Sequence, residues 1–442
     1  MNSKAMETTR SDDRLYPGYR WFVLVVLCVL TAASTVVMIS PAPLMGLIAK
    51  SLHIEPGVAT GAMMATFQLA LALSCIAGGF LCDKYGLKAT FLVSSVLFTV
   101  PTLALAFVGN SLPGVVLMRV IQALGAGPIA ATVAAVAALW FPLSQRAIVA
   151  GLQGAMFTLG VAIGFLTTPA ALSISDNWQS AMAWQSIGGF VSLLLAIVFA
   201  FGPRPPAQTD FEACSSGAAV DGDFKLALKQ SVTWIGLLLM VTVTWIFQGF
   251  NDLTPGYFAL DKPVGVGYGP MTAGKLMSLV QIAFIVGSIS TGFILEKVFR
   301  GRVRPVVTMG YALFAIFAFS IIFPAVWGDM SVLPVCLAIA GFFIGLVGAN
   351  VIAFASKHYP AHIAGKLVGM WMGVGLFGGL AGIVAGATAL HNTGNYHASI
   401  IIVCIIAIIG LIFAQFLKPP QVFCIADQPL EAKALNNGKQ QS

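Results

Sequence analysis

The feature that most limits what this chain can fold into is its succession of long apolar segments. Twelve can be counted, at approximately 20–48, 58–81, 89–109, 112–139, 147–172, 181–201, 231–257, 272–295, 305–327, 331–356, 364–389 and 397–417. Each is near the ~20 residues a helix needs to cross a ~30 Å hydrocarbon core. Of the 442 residues 58% are hydrophobic and 9% charged, whereas a soluble domain carries roughly 25% charged residues. A giant soluble core does not account for this, because chains beyond about 250–300 residues split into domains with polar surfaces. Lipid offers backbone groups no water, so each span must be helical. The alternating pattern of a membrane barrel is absent. The first apolar run exceeds 20 residues and no small-residue cleavage site follows it. It reads as a retained helix, not a signal peptide.

Charge fixes an expected orientation. With the N-terminus inside, 19 of the 23 Lys and Arg residues fall in inside segments, and Lys50, Lys262 and Lys275 fall outside. Arg119 alone lies within a span. This is the positive-inside bias, and it agrees with an even span count. The net charge of +7 is thereby topological, and no nucleic-acid partner is expected. The seven cysteines are scattered with no CxxC pair, and five lie in or beside apolar runs; they read as small buried hydrophobes. His53, His358, His362, His391 and His397 sit in loops or at helix ends, so no metal site is expected. No Walker loop, GxSxG or Rossmann fingerprint occurs, which leaves ATP-driven transport and hydrolase chemistry without support.

The chain also repeats itself. Shifting by 213 aligns Gly79, Phe80, Asp83 and Lys84 with Gly292, Phe293, Glu296 and Lys297. Shifting by 218 aligns Phe141-Pro142 with Tyr359-Pro360, and Gly151, Gly160 and Gly164 with Gly369, Gly378 and Gly382. Two six-span halves follow. The expected division is a cytoplasmic segment 1–19, a six-helix bundle 20–202, a polar cytoplasmic linker 203–230, a second six-helix bundle 231–418 and a cytoplasmic tail 419–442. Parallel six-span repeats place a substrate site between the halves near the bilayer midplane.

Two motifs then carry a resemblance over residues 20–418. GFLCDKYGLK, from Gly79 to Lys88, is similar to the loop signature between spans two and three of the major facilitator superfamily, with Lys84 in place of the usual Arg and Leu87 where a basic residue is common. Arg119-Val-Ile-Gln122-Ala-Leu-Gly125-Ala-Gly127 resembles the fourth-span signature, with Ala123 replacing its usual glycine. The resemblance implies an all-α fold of twelve transmembrane helices in two pseudo-symmetric six-helix bundles. It implies a cytoplasmic gate made by Gly79, Asp83, Lys84, Gly86 and Lys88, latching against the start of span eleven. Read from the residues alone, Gly86 permits the positive φ a tight turn requires, and the loop is also an ordinary solvated, positive-inside loop.

Arg119 lies about 10 Å along its helix. A charge there costs ~2.5–3.5 kcal/mol on insertion scales, so it must face the bundle interior or a watery cavity. Gln122 shares its face. Arg119 is an anion contact, part of a coupling network, or a clamp bonding backbone between helices. Asp252 is the acidic candidate for coupling, in a stripe with Thr244, Gln248, Asn251 and Pro255 near the outer end of span seven; the alternative is a solvated residue at a helix mouth. Family members often break span seven here, and Gly249, Pro255 and Gly256 would permit it. Gln68, Gln153, Gln281 and Asn350 are further polar groups inside spans, of the kind that glues helices. The resemblance places spans one, four, seven and ten around the cavity, so Thr31, Thr35, Arg119, Gln122, Gln248, Asn251 and Asn350 are expected to line it.

The expected protein is a monomeric secondary transporter of a small polar solute in the inner membrane, with both termini cytoplasmic. Uptake of an organic anion held by Arg119, coupled to a proton or other ion gradient and needing no cofactor, is favoured. A drug or metabolite exporter and a non-transporting receptor or sensor are the alternatives. Span five lacks the Gly-Pro pair usual in drug–proton exporters, and the tail after Lys418 is too short for a signalling domain.

Overall fold

The computed structural model describes residues 18–142, 145–175, 177–203 and 217–420, without the side chains of residues 83, 147, 217–222, 356, 361, 362 and 365. The described residues contain no strand. Twelve helices are long and apolar enough to cross a membrane: Tyr19–Ser51, Pro56–Cys82, Lys84–Val108, Leu112–Trp140, Ile148–Ser173, Trp178–Phe201, Ser231–Ala259, Gly269–Val298, Val303–Ser320, Leu333–Ala355, Lys366–Thr393 and His397–Ala414. They are called spans one to twelve. Twelve successive crossings put both ends of the bundle on one side, called here the terminal side.

The internal repeat has a structural counterpart. A Cβ on Gly160 or Gly164 of span five would overlap Thr35 or Ile39 of span one. At the positions 218 residues later, Gly378 and Gly382 of span eleven press equally closely on Val241 and Trp245 of span seven. Hydrocarbon does not drive apolar helices together, so close backbone approach and interhelical hydrogen bonds carry the association. Examples of such bonds are Ser74 to the Ala123 carbonyl at 2.9 Å and Thr242 to the Tyr311 hydroxyl at 2.7 Å.

Four local features sharpen this architecture. Span seven is one unbroken helix from Ser231 to Ala259 with Pro255 inside it; transmembrane helices tolerate proline when neighbours satisfy the freed group. The linker contains a helix, Gly217–Leu228. That helix docks on span seven, where the Thr233 hydroxyl donates to the Ala227 carbonyl and the Trp234 indole to that of Leu228. Span nine ends at Ser320, and a separate turn, Pro324–Trp327, follows. Between spans two and three the helix is nearly continuous, interrupted at Gly86, whose φ of 78° is the left-handed value the motif glycine was expected to supply.

Two helix defects on the far side matter most for function. Span one stops at Ile39, turns through Ser40-Pro41 and resumes as a short tight helix at Ala42–Leu44. Span two opens with a wide π turn at Gly61–Ala65. At the first defect the Val37 carbonyl accepts from the Ser40 hydroxyl at 3.0 Å; at the second the Thr66 N–H turns to the Gly61 carbonyl and the Thr66 hydroxyl to that of Ala62. Proline has no N–H, so Pro41 cannot serve the Val37 carbonyl.

The buried core is divided unequally. One continuous cluster runs the length of the second half and takes in the far-side part of the first half, from Met38 through Phe67 and Leu71 to Phe165 and Trp178. A second, separate cluster holds the terminal-side part of the first half, with Leu27, Phe91, Phe98, Trp140 and Phe199. The halves are thus fused on the far side and independent on the terminal side.

Candidate functional site

Cross-half contacts define the far-side closure. Gly57 of span two sits against the Ala387 carbonyl and His391 of span eleven, where a Cβ would stand 2.7 Å from the carbonyl oxygen. Gly274 of span eight lies against Phe165 and Pro169 of span five, and Gly46 against Leu260. An exposed pair, Glu55 Oε2 and His391 Nδ1 at 2.5 Å, spans the same seam. Deeper in, Gln248 Nε2 donates to Gln68 Oε1 at 3.2 Å, and Gln68 Nε2 to the Leu376 carbonyl at 3.3 Å. Phe157 and Phe247 meet below them, with ring centroids 6.3 Å apart. On the terminal side the matching glycines are open. Among the described residues nothing lies within 4 Å of a Cβ built on Gly151, Gly154, Gly369 or Gly373. The molecule is closed at the far side and open toward the terminal side.

Arg119 of span four is fully buried. Its Nε donates to the Met63 carbonyl at 2.8 Å, in the π turn of span two. One terminal nitrogen donates to the Val37 carbonyl and to Gln122 Oε1, both at 2.9 Å. The other donates to the Met38 carbonyl at 2.8 Å and lies 4.0 Å from the Met64 sulfur. Guanidinium has five N–H donors in a fixed fork, and all five are engaged. The Phe67 ring covers it at 4.2 Å from the ring centroid. Gln122 holds this arrangement from behind, its Nε2 donating to Thr102 at 3.0 Å. Of the roles open to Arg119, the clamp on backbone carbonyls is the one its bonds display.

Asp252 has the opposite character. It is 3% exposed, so it is not solvated at a helix mouth. Among the described residues no donor reaches its carboxylate within hydrogen-bond distance, and no cation stands within 4 Å. Arg119, in span four of the other half, is likewise buried. One buried charge comes from each half.

The remaining candidates divide. Asn251, next to Asp252, accepts from Gln281 Nε2 and donates to its own helix at the Phe247 carbonyl. Gln281 Oε1 is buried without a partner. Gln248 faces the seam through Gln68. Asn350 donates to the Leu346 carbonyl at 2.8 Å, and its Oδ1 is buried without a partner; it bonds to none of the other candidates. Thr31 and Thr35 donate to their own helix, to the Leu27 and Thr31 carbonyls, and Thr35 faces Gly160 inside the first half.

In the loop motif, Lys88 Nζ donates to the Ala200 carbonyl at 3.1 Å and to Gly202 at 2.5 Å. It caps the C-terminus of span six, where a cation is favoured, instead of reaching span eleven. Lys84 lies over the exposed Tyr85 ring at 5.2 Å, and Gly79 and Gly86 have open space beside them. The side chain of Asp83 lies outside the described residues.

Gln68, Gln281 and the carbonyls of Val37, Met38 and Met63 are the parts that sequence reasoning did not assign to the site. Pro41 was the one available signal for the carbonyls. The π turn carries none.

The family model of the Major Facilitator Superfamily matches residues 24–382. The probable sulfoacetate transporter SauU of Cupriavidus necator is 25% identical over 390 residues, covering 83% of this chain and 87% of that protein. A gallate transporter of Pseudomonas putida is 24% identical over 417 residues, covering 86% and 87%. The crystal structure of a D-xylose-proton symporter superposes with a TM-score of 0.72 at 14% identity, covering 91% of this chain and 98% of that one. The chain belongs to the major facilitator superfamily of membrane transporters.

Proposed function

We propose that this transporter takes up a small organic anion by alternating access, with Arg119 as its anion contact and Asp252 as the coupling group. The observation that carries this reading is that each half buries one charge inside its spans, Arg119 in the first and Asp252 in the second, in a chain whose relatives are named for sulfoacetate and gallate. The basic-residue bias makes the terminal side cytoplasmic, so the conformation described above is inward-open, in a monomer of the cytoplasmic membrane.

The carbonyl clamp suggests how Arg119 releases its cargo. In the inward-open state its donors are occupied by the broken ends of spans one and two. A neutral hydrogen bond contributes about 0.5–1.5 kcal/mol net, and one to a charged group about 1.5–3. A bidentate carboxylate or sulfonate therefore competes with two or three carbonyls on nearly equal terms. Opening the far side moves those helix ends and frees the fork for an incoming anion. Closing it restores the carbonyls and expels the anion inward. Asp252, lacking a donor of its own, takes a proton or cation when the anion screens it from Arg119. No cofactor beyond the ion gradient is required.

Reconstituted liposomes test this. Uptake of labelled carboxylates and sulfonates should rise with an inward proton gradient. Arg119→Lys should abolish it, because an ammonium lacks the planar fork. Asp252→Asn should lose gradient-driven uptake and keep anion exchange. Unaltered proton-driven uptake in Asp252→Asn would remove Asp252 from the coupling, and gradient-driven efflux would make the protein an exporter.

A further inference from the structure

Outside the transport path, the turn between spans eight and nine carries an unusual concentration of charge. Lys297, Arg300, Arg302 and Arg304 fall within eight residues. Glu296 is the acid of this turn, and Lys357 of span ten occupies it, Nζ to Oε1 at 3.1 Å. The same ammonium donates to the Gly301 carbonyl at 3.2 Å. Lys357 thus both neutralises the acid and ties the turn to its neighbour. Arg304 is used as well, donating to Gln415 at 2.9 Å. Among the described residues no carboxylate lies within ion-pair distance of Arg300 or Arg302.

Those two arginines are held in a fixed geometry. Arg300 and Gly301 both adopt left-handed backbone, with φ of 52° and 75°. The turn is closed by Gly301 N–H to the Leu295 carbonyl at 2.7 Å and by Arg302 N–H to that of Phe299 at 3.0 Å. Together Val298, Phe299, Arg300, Arg302 and Pro305 line a cavity of about 360 Å³. The cavity lies at the start of span nine, the positive end of that helix's dipole. Below it, span eight exposes an apolar stripe to its surroundings, with Ile289 at 74%, Phe293 at 67% and Val298 at 60% exposure.

We propose that this cavity binds the phosphate of an anionic phospholipid, with the acyl chains lying along the Ile289–Phe293 stripe. Two arginines line the cavity beside the start of span nine, and arginine grips phosphate bidentately. The last residue of span eight and the first of span nine flank the cavity, which sets it at the membrane boundary, at headgroup depth. The adjoining apolar stripe distinguishes a lipid from a soluble phosphate, because a free ion has no use for it.

The test uses the purified full-length transporter in mild detergent, with lipid binding followed by native mass spectrometry. Phosphatidylglycerol should bind in preference to phosphatidylcholine. The R300Q/R302Q double variant should weaken phosphatidylglycerol at least tenfold, R300K/R302K should stay within about threefold of the parent, and K418Q, a terminal-side cation elsewhere, should be unchanged. Equal binding by R300Q/R302Q would overturn the proposal. So would equal loss in the Gln and Lys pairs, which would make shape and not charge the cause. Displacement of the lipid by low-millimolar inorganic phosphate would identify a soluble phosphate as the ligand and overturn the lipid assignment.

Discussion

Arg119 and Asp252 are both buried charges, one in each half, yet their surroundings differ sharply. Every donor of Arg119 is engaged, mostly by main-chain carbonyls, while the carboxylate of Asp252 accepts no hydrogen bond among the described residues. The first half has built a socket for its charge; the second half has left its charge waiting. A saturated charge is a structural element that works by being displaced. An unsaturated one is a binding element that works by being filled. The same amount of burial therefore means different things in the two halves.

Four measurements would break or sharpen that contrast. The largest effect is expected from Arg119→Ala, which removes the buried charge that the Val37, Met38 and Met63 carbonyls accept. Removing one member of a buried, hydrogen-bonded charge cluster costs about 3–5 kcal/mol. Chemical denaturation in detergent should show that loss, and a change below about 1 kcal/mol would mean that the clamp holds nothing. Next comes the coupling between the charges. A cycle of R119Q, D252N and the double variant should be non-additive by about 0.5–3 kcal/mol, the double variant being less damaged than the sum; strict additivity would mean the two charges do not communicate. Asp252→Asn alone should change stability by only about 1 kcal/mol, since no hydrogen bond is lost with it. A loss as large as that of Arg119→Ala would show that Asp252 also has a structural partner. Smallest is Glu55→Gln at the exposed far-side pair, expected at about 0–1 kcal/mol and shrinking further in high salt. A larger effect would make that pair, and not the glycine seam, the far-side lock.

Much of the architecture was legible in the sequence, because lipid permits few solutions. Hydrophobic length gave the spans, and the glycine repeat pointed to matching faces that Gly160 and Gly378 do present. The need of Arg119 for interior partners also followed from its position. Which partners they are did not, because they are main-chain carbonyls exposed by defects in two other helices. Pro41 announces one defect, but the π turn at Gly61–Ala65 is a packing outcome that no residue type signals. Gly249, Pro255 and Gly256 would permit a break in span seven, and none forms. Neighbouring helices instead hold span seven straight: Tyr396 packs on Gly256 and Leu253 on Gly386. Local propensity lost to tertiary contact there.

The proline that ends span one has a consequence for how the protein is made. Spans one and two leave the ribosome before the charge that their Val37, Met38 and Met63 carbonyls will accept. Arg119, two spans later, cannot rest stably in lipid by itself. Each defect is tolerable only once the other has arrived. The first hairpin should therefore stay unsettled in the membrane until the fourth span is synthesised, and a chain truncated before Leu112 should be recognised as unfinished by the cell's quality control.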